Sequence, residues 1–234
     1  MELKSGEAGL MDREEIQNMR RSYSERELNL PSDPIAAFKI WLKEAADYPA
    51  IVEANAMVLS TNGDEITSRS VLLKDVSETG FTFFTNYNSR KAHAIELNPQ
   101  VSLLFPWYPM ERQVIVLGTA EKISREESEK YFATRPWASK IGAWASQQSA
   151  PLNSREELDS RFQGAAAKWP EGSEVPTPPN WGGYLVSPYS IEFWQGRTSR
   201  LHDRIRFERT ITESNSGNPA NPPFGEWEIN RYYP

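Results

Sequence analysis

The chain has 234 residues, 38% of them hydrophobic and 25% charged, enough to bury a sizeable core. Its formal net charge is −6, which argues against a general nucleic-acid binder, so any bound anion must be held by local clusters of cations. It has no cysteine and two histidines, which excludes disulfides and thiolate metal sites and leaves no metal expected.

No apolar run approaches the roughly 20 residues of a membrane span. The N-terminus lacks the apolar core of a signal peptide, so the expected setting is cytoplasmic, with no membrane partner. Residues 1–19 are polar and unpatterned and read as a flexible arm, leaving 20–234 as one domain. LPSDPIAAFKIWLKEAADYP predicts a helix. Ser32 or Asp33 caps it, Pro34 starts it, and Ile35, Phe38, Trp41 and Leu42 form its apolar face. The period then changes to two. NAMVLSTNGDEITSRSVLLKDV predicts two strands joined around Asn62-Gly63, and ETGFTFFTNYN a third. SRKAHAIELNP predicts a short helix capped by Ser89, and QVSLLFPWY and RQVIVLGTAEKI two more strands. Three helices follow, the first opened by a capping box of Ser124 and Glu127. A proline-rich loop leads into three last strands, GYLVSPYSIEFWQG, RIRFERT and EWEINRYY. The order fits an antiparallel barrel whose last strands close onto the first, mainly β with peripheral helices.

Four stretches carry charge that could hold an anion. In TNYNSRKAHAIE, Arg90 and Lys91 sit in the first turn of a helix, where cations oppose the helix dipole. A phosphate would resolve that conflict; two solvated surface charges would fit as well. In SRSVLLK, Arg69, Val71 and Leu73 share one strand face and Ser70, Leu72 and Lys74 the other. The cations could clamp a ligand, although alone the plainer reading, strand-end charges reaching water, wins. In EKYFATRPWAS, Tyr131 and Arg135 are four apart and Ser139 follows. They suit a phosphate or a pyridine ring, while an arginine that merely ends a helix before Pro136 suits the pattern slightly better. In EFWQGRTSRLHDR, Arg200, His202 and Arg204 alternate, and an extended backbone would aim all three one way, with Asp203 opposite. Their mutual repulsion favours an anionic ligand. No dinucleotide or P-loop glycine motif and no nucleophile–base pair occurs, so an organic cofactor would carry any chemistry.

RSVLLK, FFTNYNSRKAHAIELNP, LFPWYPMERQV, YFATRPWASKIGAWASQQS and IEFWQGRTSRLHDR, in that order, resemble the motifs of the pyridoxine (pyridoxamine) 5′-phosphate oxidases. The resemblance runs from about Arg20 to Arg231. It implies an FMN-binding split β-barrel acting as a homodimer, with two FMN sites at the subunit interface. It places Arg69, Ser70, Val71, Leu72, Leu73, Lys74, Phe84, Thr85, Arg90, Lys91, Gln113, Gln148, Ser149, Trp194 and Arg204 at FMN. It places Lys74, Tyr131, Arg135, Ser139, Arg200, Leu201 and His202 at the substrate, with Arg20, Arg21, Ser22 and Tyr23 folding over it. Arg200 and His202 would orient the ring and stabilise charge at the reacting carbon.

The implied reaction takes pyridoxine or pyridoxamine 5′-phosphate to pyridoxal 5′-phosphate. A hydride equivalent passes from C4′ to the flavin, O2 is reduced to H2O2, and the amine substrate also yields ammonia. Departures are few: Phe84 stands where many members have tyrosine, Trp137 and Ala138 replace more polar residues, and the chain ends RYYP rather than Arg-Leu-Ala-Pro. The alternatives are another flavoenzyme on the same barrel, such as a flavin reductase or phenazine-pathway oxidase, and a non-catalytic pyridoxal phosphate carrier.

Overall fold

A computed structural model describes residues 12–19, 22–25, 28–210 and 224–234. Within the polar arm, a short helix α1 (Arg13–Asn18) opens with a reciprocal capping box between Asp12 and Glu15. α2 (Pro34–Ala46) starts where the sequence predicts: Asp33, not Ser32, accepts from the amides of Ile35 and Ala36, and Pro34 occupies the first turn.

The barrel strands are β1 (Ala56–Asn62), β2 (Ile66–Ser77), β3 (Gly80–Asn86), β4 (Gln100–Trp107), β5 (Arg112–Lys122) and β6 (Trp181–Gln195). β7 (Asp203–Glu208) and β8 (Glu228–Tyr232) extend the sheet beyond β6. The strand order is β3-β2-β1-β4-β5-β6-β7-β8, and β3 also pairs with β6, all antiparallel. Closure follows the expectation that strands after the helical interval close onto those before it: β6 seals the barrel on β3, while β7 and β8 continue the sheet outside the ring. β6 is long enough at 15 residues to pair with β3 through its first part, β5 along most of its length and β7 through its end. The β1–β2 connection is also wider than a two-residue turn, because Asn62 pairs with Ile66 and Gly63 packs tightly on Ala94 of the next helix.

α3 (Arg90–Leu97) follows β3; α4 (Arg125–Thr134), α5 (Trp137–Ala145) and α6 (Arg155–Lys168) fill the interval between β5 and β6. The main core is the barrel interior plus the apolar face of α2. Phe38 is fully buried, edge-on to Phe81 and Phe105 with ring centroids 4.9 and 4.8 Å away, and Trp41 meets Phe193 at 5.1 Å. Burial of such a ring is worth about 2–3 kcal/mol, which fixes α2 on the barrel. A second, smaller core joins Phe132, Ile141, Val175 and Trp181 and holds α4 and α5 beside β6. No helix among the described residues is long and apolar enough to cross a membrane.

Candidate active site

A groove of about 1100 Å³ runs between β2, β3, the start of α3, and the α4–α5 corner. β2 contributes residues of both its faces to the groove. Odd positions from Thr67 to Val71 are partly buried and even positions from Ile66 to Ser70 exposed, and the register with β3 shifts between Leu73 and Asp75. Arg69, Ser70, Val71, Leu72 and Lys74 line the groove; Leu73 does not, being a core residue 4% exposed. Phe84, Thr85, Arg90 and Lys91 line it from β3 and α3. Tyr131, Arg135 and Ser139 line it from the helices, and Gln148 and Ser149 from the loop after α5.

Lys91 is the centre of one cationic slot. Its side chain is 7% exposed, and Nζ donates to Gln148 Oε1 at 2.8 Å and to Thr85 Oγ1 and Ser89 Oγ at 3.1 Å. All three acceptors are neutral. Burial, and then the nearby Arg69, push the Lys91 pKa down from 10.5 to about 8. Arg69 donates to Leu59 O, Thr61 Oγ1 and Thr67 Oγ1, again with no carboxylate among the described residues. Ser89 occupies the N-cap position of α3, but its hydroxyl serves Lys91 and caps nothing. The Arg90 amide donates to Ser149 Oγ at 3.2 Å. Lys91 and Arg90 both line the groove, but the Arg90 guanidinium is engaged in an ion pair with exposed Glu65.

Arg135 is the centre of a second slot. It is the C-cap of α4 (φ −69°, ψ 148°), so it both ends the helix before Pro136 and swings into the groove. Its guanidinium lies 4.9 Å from the Trp181 ring centroid and 5.4 Å from Phe132. Nη1 is buried without a hydrogen-bond partner among the described residues. Burial lowers its pKa, with Tyr131 acting the other way. Beside it the rings of Tyr131 and Phe84 stack at 4.0 Å, and Phe84 stacks on Trp181 at 5.2 Å. An unpaired buried donor is costly, and an anion placed beside this aromatic wall could satisfy it.

The remaining predicted residues gather elsewhere. Gln113 on β5 is the cross-strand partner of Trp194 on β6, and Trp194 that of Arg204 on β7. From Trp181 in the groove to Trp194 is 13 steps along β6, about 40 Å of strand at ~3.3 Å per residue. His202 packs against Trp194 at 4.7 Å and against Tyr23 at 5.4 Å; Ser22 adjoins Tyr23, while Arg20 and Arg21 lie outside the described residues. Tyr23 approaches so closely over Gly196 that an added Cβ there would stand 3.0 Å from its ring. Ser24 bonds to Glu111, and Thr198 to Glu25, fastening this N-terminal stretch.

The extended face drawn through Arg200, His202 and Arg204 is not formed. Ser199 and Arg200 adopt left-handed φ of 56° and 61°, so the chain turns at Arg200 and Leu201 and becomes a strand only at Asp203. Arg204 is neutralised within the chain: Nε and Nη2 grip Glu192, which is 5% exposed and also binds Arg206. Asp203 is held by Arg197 and Arg231.

Three functional neighbours escaped the sequence reading: Glu65, which claims Arg90; Trp181, the floor under Arg135; and Glu192, the anchor of Arg204. Trp181 is the second residue of NWGG, and Gly183 there is forced, since a Cβ would stand 2.9 Å from the Phe84 ring and 2.6 Å from Ile123. That glycine pair beside a tryptophan was the available signal.

Comparison with known proteins gives a consistent result. Residues 43–168 match the family model described as pyridoxamine 5′-phosphate oxidase, and residues 181–234 match that of the pyridoxine 5′-phosphate oxidase C-terminal dimerisation region. A pyridoxine/pyridoxamine 5′-phosphate oxidase of Streptomyces avermitilis is 46% identical over 213 residues, covering 89% of this chain and 90% of its own. That of Thermobifida fusca is 44% identical, covering 96% and 100%. Among solved structures, PhzG from Burkholderia lata in complex with tetrahydrophenazine-1-carboxylic acid superposes with a TM-score of 0.76 at 30% identity, covering 87% of this chain and 94% of PhzG. An FMN-binding protein of Nostoc punctiforme shares the fold, with a TM-score of 0.64 at 15% identity. The expected split β-barrel is thus the fold, and the chain belongs to the pyridoxamine 5′-phosphate oxidase family.

Proposed function

We propose that the protein oxidises pyridoxine 5′-phosphate and pyridoxamine 5′-phosphate to pyridoxal 5′-phosphate, using FMN and O2. The observation that carries the reading is a pair of cationic slots, one at Lys91 and one at Arg135, opening into a single aromatic-walled groove. Two phosphorylated ligands, a flavin nucleotide and a vitamin, are what such a groove would take. The donor set fits FMN: Lys91, Arg69, Thr85, Gln148 and Ser149 would hold its phosphate and neighbouring polar groups. FMN, when bound, supplies a two-electron acceptor that O2 restores, so an alcohol substrate yields aldehyde and H2O2. The amine substrate, with one water, yields aldehyde, ammonia and H2O2.

The chain's own contribution is binding and orientation. Arg135, Tyr131 and Ser139 grip the substrate phosphate, and Lys74, which also lines the groove, adds a cation over the ring. Arg200, Leu201 and His202 carry the substrate's reacting side, with Tyr23 beside His202. These residues, and Gln113, Trp194 and Arg204 for FMN, lie in the second cluster. We read that cluster as completing the groove of a partner subunit in a homodimer, a reading supported by the dimerisation region matched over residues 181–234. Residues 20–234 then act as one unit, since β6 of the second matched segment is woven into the barrel of the first.

The test is the flavin absorbance of the purified protein, followed by peroxide production with each vitamin phosphate and with a reduced phenazine carboxylate. A colourless protein, or turnover of the phenazine alone, would overturn the reading.

A further inference from the structure

His202 is fixed by the main chain. Its Nδ1 lies 3.1 Å from the backbone nitrogen of Arg197. An amide nitrogen can only donate, so Nδ1 accepts and carries no proton. The one proton of a neutral imidazole must then sit on Nε2. Protonating Nδ1 would turn N–H against N–H and leave the Arg197 amide without its acceptor.

The surroundings act in the same direction. Burial, and then Arg200, lower the His202 pKa. The neighbouring Arg197 and Arg204 are paired, with Asp203 and Glu192 respectively. The one nearby carboxylate on this segment, Asp203, is already shared by Arg197 and Arg231. Among the described residues, the other packed elements bring the uncharged rings of Trp194 of β6 and Tyr23 of the N-terminal stretch, and the Glu111 and Glu25 beside that stretch are bonded to Ser24 and Thr198.

The loop is shaped to make this contact. A 3-10 turn over Thr198–Arg200, closed by Leu201 N to Thr198 O at 3.1 Å, brings residue 202 back onto residue 197. It does so through two consecutive non-glycine residues in the left-handed region, which L side chains rarely adopt. Such a conformation persists only where other contacts hold it.

We infer that His202 is locked as the neutral Nε2–H tautomer, a hydrogen-bond donor toward a substrate oxygen rather than a base, with the Arg197 amide as its positioning group. The tautomer stands on the chain alone; the donor role rests on the substrate reading above. Proton removal in the reaction therefore falls to some acceptor other than this imidazole.

The test uses the full-length, FMN-loaded protein and long-range 15N–1H correlation spectra of its imidazoles between pH 6.5 and 8.5. With two histidines in the chain, a His93→Gln variant assigns both. The expected His202 pattern is a pyridine-type Nδ1 and a pyrrole-type Nε2 throughout. A protonated Nδ1 or an imidazolium at pH 7 would overturn the inference. Kinetics then examine the donor role. His202→Gln, which keeps an N–H near the Nε2 position, should retain kcat/KM within tenfold, with the pH profile unchanged in shape. His202→Leu should lose tenfold to a hundredfold. Equal losses, with a limb of the profile vanishing in both, would identify His202 as a proton acceptor and defeat the proposal. The expected tautomer with no kinetic effect in either variant would remove the donor role and, with it, the placing of His202 at the substrate.

Discussion

Raising the pH should weaken FMN binding while leaving riboflavin binding almost unchanged, because of Lys91. Its pKa is displaced from 10.5 to about 8. At ~1.4 kcal/mol per tenfold, that is about 3 kcal/mol held against the charged form in the empty groove. A docked phosphate, dianionic above about pH 6, would repay that cost by keeping the proton on Nζ. Below pH 8 the lysine is already charged and affinity is flat. Above it, binding must first take up a proton, so the dissociation constant should grow as 1 + 10^(pH − 8). Between pH 7 and 9.5 this is about thirtyfold, or about 2 kcal/mol. Stability of the empty protein should move oppositely. The unfolded chain holds this proton more tightly than the folded one, so the site adds stability as pH rises from about 8 toward 10.5. The assay is quenching of flavin fluorescence on titration into flavin-free protein at pH 7, 8, 9 and 9.5, with riboflavin as the control lacking phosphate. Lys91→Arg, which keeps its charge throughout, should flatten the FMN curve. A wild-type affinity that does not fall, or the same fall in Lys91→Met, would refute the reasoning.

Arg135→Ala should keep its FMN and raise KM for the phosphorylated substrate. The lost charged hydrogen bonds, about 1.5–3 kcal/mol, correspond to roughly tenfold to more than a hundredfold in kcat/KM, read by steady-state peroxide production. Gly183→Ala should drive the Phe84 ring off its stack and cost about 1–3 kcal/mol by urea unfolding, with weakened FMN binding as a second readout. Glu192→Ala would leave Arg204 and Arg206 without their shared buried carboxylate and should cost about 3–5 kcal/mol. Arg200→Ala should stay yellow and lose kcat/KM, whereas Arg204→Ala should shed flavin and recover part of its activity with excess FMN. Flavin content by absorbance separates the two.

Much of the fold was legible because its signals are local. Asp33-Pro34 starts a helix by its own chemistry, Ser124 and Glu127 close a capping box, and the alternation in SRSVLLK does put Arg69 and Val71 on the partly buried side of β2. What escaped is set by contacts distant in sequence. Nothing near Arg90 announces that Glu65 will pair with it. Alternating residues between Arg200 and Arg204 look extended, but the bonds from Arg197 to His202 and from Leu201 to Thr198 fold them into a turn. Pairing of β6 with β3 depends on the whole barrel path, which no window of ten residues contains. The groove residues could be named because motif order carries that information. Their division into two clusters could not, since it follows from the length of β6.

That strand also governs how the molecule comes to be made. Phe81 finds its partner in Val186, 105 positions later, so the ring of strands cannot shut while the ribosome is still delivering the helical interval. Until then β3 and β5 each present a row of unanswered main-chain donors and acceptors, an invitation to pair with another nascent chain. The closing step carries the entropy of a long loop and belongs to the slow class of non-local pairings. Release of residues 181–195 is therefore the event that converts an adhesive intermediate into a finished one, and a chain truncated before Trp181 should accumulate as aggregate rather than as a smaller barrel.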